Sequence, residues 1–117
     1  MSRRAEEPRM TNEIRMGNAL AGRRGITVKR MFGGVCFLLR GHMLCATGKN
    51  GFMFRVGKTQ HSQALARGAA PVVLGGRGFR GFVWVDPAAC DARALRGWIA
   101  RAEVYVSALP PKKRTGR

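Results

Sequence analysis

The sequence predicts an α+β domain of two layers, with an antiparallel β-meander on which an N-terminal and a C-terminal helix pack. Three observations carry that prediction. Four short apolar segments, 27–32, 35–40, 42–47 and 52–56, follow one another across glycine-marked turns. Strands joined by loops this short must pair antiparallel. Leu95, Trp98, Ile99, Ala102, Val106 and Leu109 recur at helical spacing near the end of the chain. The order helix, strands, helix, strand, helix is that of helices laid on an antiparallel sheet.

Taken in order, residues 1–10 read as a flexible leader, 11–109 as the domain and 110–117 as a basic flexible tail. Thr11 is placed to cap a helix carrying Ile14, Leu20 and Ala21 on one face with Met16 beside them. Gly33-Gly34, Arg40-Gly41 and the Asn50-Gly51 of a four-residue turn separate the strands, Asn-Gly being the strongest short hairpin signal. Residues 59–68 are expected to be a short helix and 71–81 a loose glycine-rich stretch. Phe82–Val85 is then a fifth strand. Asp86-Pro87 or Asp91 begins the last helix, over 91–108, with Arg93, Arg96 and Arg101 turned outward.

The 117 residues hold 22 Lys+Arg against 6 Asp+Glu, a net charge of +16. The leader contributes +1 and the tail +4, which leaves +11 on the body of the domain. A body so basic attracts polyanions, nucleic acid being the usual one, although a solvated basic surface is the plainer reading. No apolar run approaches the roughly 20 residues of a membrane span, and the N-terminus has no signal-peptide core. The expected setting is the cytoplasm.

Lys29-Arg30-Met31-Phe32-Gly33-Gly34-Val35-Cys36-Phe37 resembles the N-terminal domain of the TfoX/Sxy family, bacterial proteins named for regulators of natural competence. Gly41-His42-Met43-Leu44-Cys45, Phe54-Arg55-Val56-Gly57 and Gly76 through Pro87 continue the resemblance in order, with Gly81, Asp86 and Pro87 in the last block. The resemblance implies a two-layer, secretion-chaperone-like fold in a single-domain member. It implies no established biochemical activity, no catalytic residues, no metal and no cofactor. The expected function is a non-catalytic regulatory or adaptor domain with a protein or nucleic-acid partner. The alternative is a weakly specific nucleic-acid-binding protein that uses its basic surface and tail.

Each candidate residue has a structural reading beside the functional one. Gly33-Gly34 with Lys29 and Arg30 could cradle phosphate, but phosphate loops open a helix, and these glycines lie between strands. Turn arithmetic about Arg40-Gly41 places Cys36 opposite Cys45, so a thiol pair is conceivable; reduced core thiols are the alternative. His42 and His61 lack zinc-type spacing and read as surface residues. Arg77 and Arg80, around Phe79, are candidate nucleic-acid contacts, as are Lys112, Lys113 and Arg114 in the tail.

Overall fold

The computed structural model describes residues 11–31 and 33–110. The leader, Phe32 and the tail with Lys112, Lys113 and Arg114 lie outside the described residues. Helix α1 (Asn12–Leu20) starts at Thr11, whose hydroxyl accepts the Ile14 N–H at 3.1 Å. Its buried residues are Met16 and Leu20, one turn apart. Ile14, expected on that face, is instead 49% exposed, and Ala21 lies past the helix end.

Strands β1 (Ile26–Met31), β2 (Gly34–Leu39), β3 (His42–Gly48) and β4 (Gly51–Arg55) form the expected antiparallel meander. Arg40 and Gly41 turn between β2 and β3 with φ of 50° and 88°, a geometry whose twist suits a two-residue hairpin. A 3-10 turn (Lys58–Gln60) leads into the short helix α2 (His61–Ala66). The stretch expected to be loose is ordered: β5 (Ala70–Leu74) and β6 (Arg77–Val85) make a hairpin about Gly75-Gly76. The sheet therefore has six strands rather than five, in the order β1-β2-β3-β4-β6-β5, all antiparallel. A 3-10 turn (Pro87–Ala89), capped by Asp86, precedes helix α3 (Ala92–Val106). Asp91 caps α3 by accepting the Ala94 N–H at 2.8 Å.

The helices share one face of the sheet. Leu95, Ile99, Ala102 and Val106 of α3 join Met16 and Leu20 of α1 over Val35, Phe37, Cys45, Phe52, Phe54, Val83 and Val85. Trp98 is only half-buried, at the rim, where its ring stacks on Phe54 at 5.8 Å. Arg23 fixes the segment after α1 to α3 by a two-pronged ion pair with Glu103, at 2.6 and 3.1 Å. Arg15 donates to the carbonyls of Pro87 and Cys90 and lies over the Phe52 ring, which docks the turn before α3. These two arginines are structural parts.

On the opposite face the register aligns Leu38 with Met43, Cys36 with Ala46, Ala46 with Met53, and Met53 with Trp84. None of these belongs to the core cluster on the helix side. Leu38, Met43, Met53, Phe82 and Trp84 are each partly exposed. Among the described residues, the sheet has one covered face and one open apolar face.

Candidate functional site

The glycines singled out from the sequence hold the sheet together. Gly34 begins β2 so close to β3 that a Cβ there would lie 1.9 Å from the Thr47 carbonyl oxygen. Gly57, at φ +89°, lies under the Tyr105 ring, and a Cβ would meet that ring at 2.5 Å. Gly81 accepts the N–H groups of Val56 and Gly57 at 2.8 and 3.0 Å and donates its own to His61 Nδ1 at 3.0 Å. Asp86 caps the turn that Pro87 starts. Arg30 and Met31 are exposed on β1, with Arg30 3.6 Å from Glu13 of α1. Gly33 makes the turn into β2, so the motif does not open a helix onto an anion.

The expected pairing of Cys36 with Cys45 is corrected by the register. From Leu38↔Met43 it steps to Phe37↔Cys45, which leaves Leu44 as an extra residue in β3. Cys36 then faces Ala46, and Cys45 falls opposite Phe37. Because side chains alternate along β2, the two thiols point to opposite faces of the sheet. Cys36, Cys45 and Cys90 are all free and buried. Burial pushes each thiol above its ordinary 9.0, Cys45 by the most.

In folded protein near neutral pH, all three thiols should alkylate slowly, and intact mass should show no loss of two hydrogens; an oxidised 36–45 pair would refute the register. A raised thiol value also means that the native state holds the proton more tightly than the unfolded chain. The stability this gives is complete below the unfolded value of about 9 and is lost as pH rises toward the folded values. The urea midpoint should therefore stay flat to about pH 8 and fall above about 9. A midpoint still flat at pH 10 would contradict the burial.

His61 is not the surface residue the sequence suggested. It is 7% exposed, and its Nδ1 serves as acceptor for Gly81, so in the neutral ring the proton sits on Nε2. His42 stays half-buried, its Nε2 2.6 Å from the Pro110 carbonyl. Sequence reasoning missed His61 because its partner is 20 residues away.

Arg77 and Arg80 lie on β6 rather than in a loop, both exposed, with the Arg77 guanidinium 5.9 Å from the centre of the Phe79 ring. The strand pairing of β5 and β6 places this hairpin at the sheet edge. A shallow cleft of about 220 Å³ runs beside it, walled by His61, Pro71, Val72, Gly78, Phe79 and Arg80. Its polar side chains are those of His61 and Arg80, the latter a donor only.

Basic side chains are not confined to this hairpin. The described segment carries 15 Lys and Arg against four acids, and each acid already has a partner within the fold. Glu103 holds Arg23, Glu13 lies beside Arg30, and Asp86 and Asp91 accept backbone N–H groups. Arg24, Lys29, Arg40, Lys49, Lys58, Arg67, Arg93 and Arg96 are exposed with no acidic partner among the described residues.

A six-stranded antiparallel sheet with helices on one face, structural glycines at its strand junctions and a basic exterior defines a small open-faced α+β domain. Residues 18–104 match the family model of the TfoX N-terminal domain. That match spans most of the chain, and the protein belongs to this family. No curated protein and no solved structure gives a match. No described helix is long and apolar enough to cross a membrane.

Proposed function

We propose that this protein is a non-catalytic regulatory or adaptor domain that acts by binding an anionic partner. The observation that carries the proposal is the engagement of every described acid inside the fold, which leaves an uncompensated cationic exterior. It also leaves few groups for catalysis. The described carboxylates are occupied as caps and ion pairs, and burial holds the thiols in their protonated, unreactive form. Membership of the TfoX N-terminal domain family supports the regulatory reading. A cytoplasmic, reducing setting suits three free cysteines.

The hairpin favours a second reading, direct and weakly specific contact with nucleic acid. Arg77, Phe79 and Arg80 combine cations with an exposed ring, the chemistry that follows a phosphate backbone and stacks on a base. A mobility shift across a salt series tests both readings. Phosphate contacts make log affinity fall with log salt by about 0.9 per contact on duplex DNA. The Arg77→Ala/Arg80→Ala variant should flatten that slope by up to about 1.8, and removing 110–117, with its four cations, should flatten it further. Should no nucleic acid bind even at low salt, the second reading fails and the anionic partner is a protein.

A further inference from the structure

The open face of the sheet is apolar without being part of the core. Met53 and Trp84, cross-strand partners on β4 and β6, make one part of it beside Ala46, and Met43 of β3 with its partner Leu38 of β2 makes another further along the strands, all four partly exposed. Cys36 and Ala46, short side chains between them, form its floor at 3% and 6% exposure. A contiguous apolar surface on a small domain ordinarily marks an interaction site. We propose that this face docks a protein segment that is apolar on one side and acidic on the other. The proposal rests on the adaptor reading above and gives it a surface and a partner class.

Charge selects the occupant. Lys29 stands exposed on the same face opposite Cys36, whereas Arg55, opposite Phe82 at the end of β4, turns its guanidinium between the Phe82 ring and the Tyr105 ring of α3, at 5.5 and 5.6 Å. A second copy would bring a like-charged surface against this one, since the described segment has 15 cations and four acids. The chain's own tail carries the same sign. An acidic partner gains from Lys29 and from the net positive charge of the domain while burying its apolar side.

Chemistry separates a protein segment from single-stranded nucleic acid. Bases stack on flat rings, and this face offers two, Phe82 and Trp84, on one strand. The Arg55 guanidinium already lies over the Phe82 ring at 5.5 Å. The remainder is thioether and aliphatic, flexible surface that conforms to irregular apolar side chains. From β2 to β6 the face spans three strand spacings, about 14 Å. That width takes one helix of about 10–12 Å diameter laid across it.

The experiment uses the full chain with ¹³C-methyl methionine and three probes. The first is a synthetic helical peptide of about 14 residues, roughly 21 Å long, with Leu on one side and Glu on the other. The second is a scrambled peptide of the same composition, and the third is a single-stranded oligonucleotide. The amphipathic peptide should shift the Met43 and Met53 methyls and leave the fully buried Met16 unmoved. Met53→Asp should weaken its binding about tenfold or more, and the milder Met53→Ser should weaken it less, whereas Val104→Ala, which removes exposed apolar surface on α3, should not. Equal binding of the scrambled peptide would overturn the proposal, because charge alone would then suffice. So would an oligonucleotide that moves the same methyls and binds more tightly. Concentration-dependent methyl shifts in the free protein would overturn it too, by assigning the face to a second copy. Peptide binding with Met43 and Met53 unmoved would refute the surface while leaving the adaptor reading standing; no binding of any probe at low salt would remove both.

Discussion

Gly34→Ala is expected to destabilise the domain by about 3 kcal/mol or more, the upper end of what overpacking costs. The added Cβ would sit 1.9 Å from the Thr47 oxygen, 2.9 Å from the Thr47 carbonyl carbon and 3.1 Å from Gly48 Cα. All three are backbone atoms of β3, so no side-chain rotation relieves the clash. Relief requires β2 and β3 to part where Val35 pairs with Thr47. Against a total stability of about 5–15 kcal/mol, that loss is a large fraction. It corresponds to a melting shift of roughly 12–24 °C in a domain of about 100 residues. Gly97→Ala is the control. Gly97 is exposed within α3, a Cβ there would have nothing within 4 Å, and Ala should gain about 0.5–1 kcal/mol. Equal melting temperatures for the two variants would refute the close approach of the strands.

Phe54→Ala should cost about 3–5 kcal/mol, the range for emptying a closed aromatic site. Phe54 has no exposed surface, pairs with Cys45 on one side and Val83 on the other, and stacks on Trp98. Its loss opens a cavity at the junction of β3, β4, β6 and α3. Trp98→Ala should cost less, about 2 kcal/mol, because that ring is half-buried and part of its contact is with the Arg101 guanidinium over its face. Chemical denaturation of both variants checks the ranking. A larger loss for Trp98→Ala would place the centre of the core on α3 rather than on the sheet.

The meander was legible because its punctuation is local: glycine turns between apolar runs, and caps one residue before each long helix. The β5–β6 hairpin was not. Gly75-Gly76-Arg77-Gly78-Phe79-Arg80 has little strand propensity of its own, and its pairing is supplied by β5 at the sheet edge. The bulge at Leu44 escaped for a related reason, since Leu suits a paired and an unpaired position equally and turn arithmetic assumes neither is skipped. His61 was misplaced because its burial follows from an acceptor that Gly81 needs, a contact with no local signal. The open face had a trace in the sequence. Val35-Cys36-Phe37-Leu38-Leu39 is apolar at every position, where a strand with one solvated face would alternate. That run tells of two apolar faces and leaves unsaid which one the helices take.

The most direct measurement of the one-face-covered architecture is methyl broadening by a soluble paramagnetic agent in ¹³C-methyl methionine protein. Met16 lies on the buried side of α1 with no exposed surface, whereas Met43 and Met53 are partly exposed on the open face and Met31 is 37% exposed at the end of β1. The agent should broaden the Met31, Met43 and Met53 methyls and spare Met16. Protection of Met43 and Met53 equal to that of Met16 would contradict the architecture, because the face proposed as the docking surface would then already be covered.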